Sequence, residues 1–164
     1  MTTSNDPRKL DTQHRATRLI ASNKRAGHEY FILQTLEAGV VLTGTEIKAV
    51  REGKISIAEA YARITDNELW LVGSRISPYT HGSYTNHDPD RQRKLLVHKS
   101  QIRELREMVQ QKGLTLLPLR VRLKDGLAKI DIGVGRGKKL YDKRAAEAEK
   151  EGKRDMERAL KDRS

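Results

Sequence analysis

The chain contains no cysteine, which excludes disulfide cross-links and zinc held by thiolates and is compatible with a reducing compartment. It contains no apolar run approaching the roughly 20 residues needed to span a bilayer, and its opening, "MTTSNDPRKLDTQHRATR", lacks the apolar segment of a secretory signal. A cytoplasmic chain with no membrane partner is expected. Hydrophobic residues make up only 36% of it and charged residues 34%, so a small core and much solvated charge are expected.

Familiar catalytic patterns are missing too. The stretch "GVGRGKKLYDKR", Gly133 to Arg144, has glycines at alternate positions. A phosphate loop would need glycine five places before Gly137 and a hydroxyl after Lys138, where Ile132 and Lys139 stand. A dinucleotide-binding turn would need glycine at 138, where lysine stands. His81, His87, Asp88 and His98 are close in sequence, yet they have neither the helical two-histidine spacing nor a zinc-ligand frame. No nucleophile elbow is present, because the "GSR" and "GSY" serines lack flanking glycines. Glu46 stands three places after Thr43, the spacing of a helix capping box, and reads as a cap rather than a catalytic carboxylate. The chain is expected to be non-enzymatic, with no metal and no cofactor.

What is abundant is positive charge. Thirty-three Lys and Arg oppose 22 Asp and Glu, a net +11, with a pI near 10.0. That balance points to a polyanionic partner, RNA first. Five of the nine residues from Arg136 to Arg144 are cationic.

Along the chain, residues 1–22 hold few apolar residues and read as a mobile basic arm. The fold is expected over 23–137. Tyr30 to Leu36 and Val40 to Leu42 predict strand with a break at Gly39. "TGTEIKAVREG" predicts a short capped helix with Gly53 as its stop. Strands are expected at Glu59 to Ile64 and Glu68 to Ile76, then a long polar loop through "PYTHGSYTNHDPDRQRK". A helix over Gln101 to Gln111 follows, capped by Ser100, with Ile102, Leu105, Met108 and Val109 inward and Gly113 as its stop.

"LPLRVRLKDGLAKIDIGV" predicts a hairpin about a two-residue Asp125-Gly126 turn. Leu123 then faces Ala128, Arg122 faces Lys129, Val121 faces Ile130, Arg120 faces Asp131 and Leu119 faces Ile132. Apolar meets apolar throughout. Arg122 opposite Lys129 is a like-charge pair that costs a few tenths of a kcal/mol unless an anion covers it. Its face is either a phosphate rest or an ordinary solvated surface. Residues 138–164 carry few large apolar side chains, with Gly152 midway, and predict a basic tail that is disordered when free and helical once its charge is neutralised.

Four ordered strings, "NKRAGHEYFI", "EAGVVLTGTEIKAVREGK", "NHDPDRQRKLLVHK" and "GRGKKLYDKR", resemble those of the SsrA-binding (small protein B) family of bacterial trans-translation, from about Asn23 to Arg144. The resemblance implies a mainly β fold, a closed antiparallel oligonucleotide-binding (OB-like) barrel with two or three packed helices. It implies binding to the transfer-RNA-like domain of transfer-messenger RNA. The alanylated RNA would be delivered with elongation factor Tu and GTP to a stalled ribosome by a protein that is a monomer when free. The tail would probe the empty messenger channel and decoding centre. Carried over by position, the RNA contacts would be Glu37, Arg93, Lys94, Leu96, Lys129, Lys138 and Lys139; Arg122 joins them from the hairpin pairing alone. The ribosome-acting tail would include Gly137, Tyr141, Asp142, Lys143 and Arg144. Ordinary alternatives stay open: Glu37 as a turn cap, Leu96 as core, Lys129 as a solvated charge. Tyr141 departs from the histidine of some members, where ring stacking on a base would replace imidazole chemistry. A basic ribosomal or assembly protein using the same barrel on ribosomal RNA is the competing function.

Overall fold

A computed structural model describes residues 17–81 and 86–162, the side chains of Leu140 and Tyr141 excepted. In chain order the elements are β1 (Thr17–Ser22), α1 (Lys24–Glu29), β2 (Tyr30–Val40), α2 (Gly44–Arg51), β3 (Ile55–Ser56), β4 (Tyr61–Thr65), β5 (Glu68–Val72), β6 (Arg75–Ile76), β7 (Arg93–Leu96), α3 (Lys99–Lys112), β8 (Thr115–Lys124), β9 (Leu127–Gly137) and α4 (Leu140–Lys161). The chain is mainly β. Seven strands form one antiparallel sheet in the order β1-β8-β4-β5-β7-β2-β9. Because β8 also pairs with β9, the hydrogen-bonded neighbours run in a circuit from β8 through β4, β5, β7, β2 and β9 back to β8. Strands β3 and β6 form a separate two-stranded sheet.

The strands alternate as pleated, one-sided segments must. Leu69 and Leu71 of β5, Leu95 of β7, Leu116, Val121 and Leu123 of β8 and Ile130, Ile132 and Val134 of β9 share one core. Ala49 and Val50 of α2 and Leu105 of α3 close onto it. At about 2 kcal/mol for each fully buried Leu or Ile side chain, this cluster is the main stabilising feature of a chain with so much charge. No helix among the described residues is long and apolar enough to cross a membrane.

The fold begins earlier than the sequence predicts. Residues Thr17 to Ser22, assigned to the arm, pair with β8 from Thr17↔Lys124 to Ser22↔Arg120; residues 1–16 of the arm lie outside the described residues. The signal was faint, since only Leu19 and Ile20 are large and apolar there. Strand β2 is continuous through Gly39, and its irregularity falls between Ile32 and Gln34, at the exposed Leu33.

Four of the five predicted hairpin pairs are present, from Leu123↔Ala128 to Arg120↔Asp131, but Pro118 instead of Leu119 faces Ile132. Asp125 and Gly126 both take positive φ, 51° and 77°, the requirement of a tight two-residue turn. The slip is a bulge at Leu119, next to a proline that has no N–H for the ladder. Asn23 occupies the opened carbonyls: its Nδ2 donates to Pro118 O at 3.0 Å and its backbone N–H to Leu119 O at 2.8 Å. The Leu119 side chain lies over Gly133, where a Cβ would stand 2.8 Å from its Cδ1.

Thr43 and Glu46 form the capping box of α2 as predicted. Helix α3 starts before the expected Ser100 cap; His98 is its N-cap, and the His98 backbone N–H donates to Gln101 Oε1 at 3.0 Å. Ile102 and Leu105 are buried and Met108 packs against the core, while Val109 is exposed rather than inward. Gly113, at φ 63°, closes the helix.

In the tail, Leu140 to Lys161 form a 22-residue helix that runs through Gly152. Alanine, glutamate, lysine and arginine supply propensity, and the Asp142 carboxylate accepts the Lys139 N–H at 3.2 Å, so local structure forms without a core. None of its described residues is buried. A helix without packing is marginal, and Gly152, with open space around it, is expected to weaken it by about 0.5–1 kcal/mol relative to Ala. Gly152→Ala is therefore expected to deepen the 222 nm circular dichroism of the free protein; no change would mean that the helix is already fully formed.

Candidate nucleic-acid interface

Three strands converge at Gly39. It pairs with Leu96 of β7 on one side and with Lys129 of β9 on the other. Lacking a side chain, Gly39 leaves a gap between them, where a Cβ would meet Leu96 Cβ at 3.4 Å and Lys129 Nζ at 3.8 Å. The gap opens into a shallow groove of about 380 Å³, walled by Glu37, Leu96, Lys129 and the start of α3 at His98 and Gln101. Leu96 is 54% exposed, so it is surface rather than core. An apolar ledge beside a cation suits a nucleotide, whose base and phosphate ask for different contacts. Sequence reasoning missed His98 and Gln101 as walls, because they meet the groove only once α3 is docked.

Arg122 reaches the same edge but is not open. Its Nη2 donates to Asp131 Oδ1 at 2.5 Å and to Glu37 Oε2 at 3.2 Å. The Arg122 and Lys129 pairing is present, and the protein's own carboxylates answer its charge. Of the two readings left open for that face, these ion pairs favour an ordinary surface for Arg122, while Lys129 has no ion-pair partner among the described residues.

Arg93 is corrected more sharply. It is fully buried, because it shares a strand face with Leu95, and it offers no surface to an RNA. Its Nε donates to Glu46 Oε2 at 2.5 Å, its Nη1 to Ser74 O at 3.2 Å and Ser74 Oγ at 3.1 Å, and its Nη2 to Pro89 O at 3.1 Å. Glu46 also accepts from the Arg91 guanidinium and, at 2.9 Å, from the Thr43 backbone N–H. Burial alone would raise the Glu46 pKa; hydrogen bonds from Arg91, the Thr43 backbone and Arg93 outweigh it and lower the pKa to about 2. Glu46 is thus a cap and a buried counter-ion, ionised across the working pH range. Lys94 does not line the groove; its Nζ pairs with Glu68 Oε1 at 3.2 Å.

The tail root lies at the opposite end of β9, eight residues or about 26 Å from Lys129. Gly137 closes the strand opposite Tyr30. The Lys138 backbone N–H donates to Glu29 O at 2.8 Å, and its Nζ donates to Gly27 O at 3.0 Å and sits 5.0 Å from the centre of the Phe31 ring, which Arg136 approaches at 5.2 Å. These cation–π contacts fasten Lys138 to the body. Lys139, the N-cap of α4, and Arg144 are exposed and Lys143 is half-buried; the Tyr141 side chain lies outside the described residues. Glu147 meets His28 of α1 at 2.8 Å. In the histidine loop, His87 contacts Thr45 Oγ1 and Ile76 O, each at 2.9 Å, and no cluster suited to a metal occurs among the described residues.

A basic, mainly β protein with an open groove holding Lys129 at one end of a long strand and a long, highly charged helix leaving the other is the class this fold and site define. The family model described as SmpB protein matches residues 20–162. The chain belongs to the SmpB family. It is 54% identical to the SsrA-binding protein of Lysinibacillus sphaericus over 144 residues, 88% of this chain and 93% of that one. It is 52% identical to the SsrA-binding protein of Alkaliphilus oremlandii, covering 91% of this chain and 96% of that one. A solved chain described as "tmRNA-SmpB: a journey to the center of the bacterial ribosome" is 48% identical with a TM-score of 0.63, covering 77% of this chain and 92% of that chain.

Proposed function

We propose that this chain is a non-enzymatic trans-translation factor. It binds the transfer-RNA-like domain of transfer-messenger RNA through the Glu37, Leu96 and Lys129 groove. With elongation factor Tu and GTP it accompanies the alanylated RNA to a stalled ribosome in the cytoplasm. The observation that carries this reading is the convergence of those three residues, distant in sequence, on one open groove. Family membership supports the choice of RNA. The circuit of six strands is read as a closed OB-type barrel, a scaffold that presents a sheet face to nucleic acid.

The two ends divide the work. The groove holds the RNA while α4, with Asp142, Lys143 and Arg144 in its first turn, acts on the ribosome by entering the empty messenger channel. Its marginal stability suits a segment that interconverts between coil and helix when free and becomes fully helical when the channel neutralises its charge.

A gel-shift titration at physiological salt tests the reading, with transfer RNA and an unrelated hairpin competing against transfer-messenger RNA. Binding that survives excess competitor is expected; equal affinity for all three would leave a general RNA-binding protein. Lys129→Ala is expected to weaken binding and to reduce the slope of log K against log salt by about 0.7 to 0.9, the loss of one phosphate contact. An unchanged slope would remove Lys129 from the interface.

A further inference from the structure

Helix α3 leaves the groove carrying a second set of cations. Lys99, Arg103 and Arg106 stand at i, i+4 and i+7 and so share one face. That face borders a groove of about 310 Å³, lined by Asn67, Lys99, Ile102, Arg103 and Arg106 between α3 and the β4–β5 turn. Beyond Arg106 a further groove of about 430 Å³ adds Arg63, with Asp66 as the only carboxylate lining either. Glu104 and Glu107 line a separate groove with Met108 and Lys112.

The face is not neutralised. Among the described residues neither Lys99 nor Arg103 makes an ion pair, and Arg106 donates only to the neutral Asn67 side chain. Like charges three and four residues apart on a helix repel one another. An anion on this face would relieve that repulsion, whereas solvent only screens it. The three positions span about 10 Å of helix axis, and a duplex strand carries one charge per roughly 3.4 Å of its axis, so the face matches about three successive phosphates. It is distinct from the Lys129 groove: Gln101, which walls that groove, stands about 200° round the helix from Lys99.

We infer that the Lys99, Arg103 and Arg106 face of α3 is a second phosphate rest for the RNA, separate from the Lys129 groove. This inference rests on the RNA-binding reading and adds to it a second contact surface. The contacts are to phosphates, so they add affinity and salt dependence without selecting a base sequence.

The test uses the full-length protein and transfer-messenger RNA over a series of salt concentrations. Each of Lys99→Gln, Arg103→Gln and Arg106→Gln is expected to lower the slope of log K against log salt by about 0.7 to 0.9, and the triple variant by about 2 to 3, with the thermal melt unchanged. The single variants keep the test readable should the triple one fold poorly. If Lys129→Ala alters the slope and the α3 variants do not, the inference fails and the groove reading stands. If the α3 variants alter it and Lys129→Ala does not, the inference stands and the groove must be redrawn. Polyglutamate retained by the wild-type protein and released by the triple variant, with the RNA slope unchanged, would overturn the inference in favour of an acidic polypeptide.

Discussion

Glu46→Gln is expected to destabilise the protein by about 3–5 kcal/mol, because it leaves the guanidinium of Arg93 buried without its counter-charge. Both partners are fully buried, so water cannot replace the lost carboxylate. A glutamine oxygen can still accept the Thr43 N–H, and the helix cap is retained in large part; the loss belongs to the ion pair. For a chain of this size the corresponding fall in Tm is on the order of 10 °C, readable by thermal melt or urea titration. A loss below about 1 kcal/mol would show that the pair is no better than the neutral contact. The pH dependence gives an independent check. The Glu46 pKa is lowered from an ordinary 4.5 to about 2 in the folded protein, so its stabilisation is complete above the unfolded value and disappears as pH falls from about 4.5 toward about 2. That contribution, roughly 3 kcal/mol from the size of the shift, should be present in the wild-type acid titration and missing from the Gln variant.

Replacing Asp142, Lys143 and Arg144 together by Ala is expected to abolish tagging of stalled chains while leaving affinity for transfer-messenger RNA nearly unchanged. The groove and the tail root stand at opposite ends of β9, so the substitution removes nothing that lines the groove. The three residues also act differently. Asp142 accepts the Lys139 N–H at the start of α4, and its loss should cost about 1 kcal/mol of helix stability. On the proposed reading, Lys143 and Arg144 would supply charge for the ribosomal RNA. Asp142→Asn, which keeps an oxygen to cap the helix, should therefore retain much more tagging than Asp142→Ala, and Lys143→Ala with Arg144→Ala should lower it without changing helicity. A collapse of RNA affinity in the triple variant would refute the division of work between the two ends.

Period-two alternation and the Asp125-Gly126 turn made the β8–β9 hairpin legible, and apolar spacing with Gly113 did the same for α3. The bulge at Leu119 was not legible, since a bulge repeats nothing; Pro118 was the available hint. Arg93 was misplaced for an instructive reason. In "RKLL" the alternation that buries Leu95 also buries Arg93, but without knowing of Glu46, 47 positions away, a buried arginine looks too costly to propose. The converse held for Leu96, exposed because Leu95 is not. Glu37 and Lys129 were placed by resemblance, and their proximity to Leu96 needed the β7–β2–β9 pairing. The α3 cations had a signal in their spacing, which reads equally as a solvated face until the docked helix shows which charges lack partners.

Helix α4 has one further property, its length. Twenty-two residues at about 1.5 Å each make a rod of roughly 33 Å, with the exposed Met156 and Leu160 one turn apart near its far end. If α4 acts on the ribosome as proposed, such a rod would serve as a ruler, setting how far from the body those two side chains land and in which direction they face. The two quantities can be varied separately. Excising seven residues shortens the rod by about 10 Å and turns its tip by only about 20°, whereas excising four shortens it by about 6 Å and turns it by about 40°. If reach governs the tail's action, the seven-residue excision is the more damaging of the two; if facing governs it, the four-residue excision is.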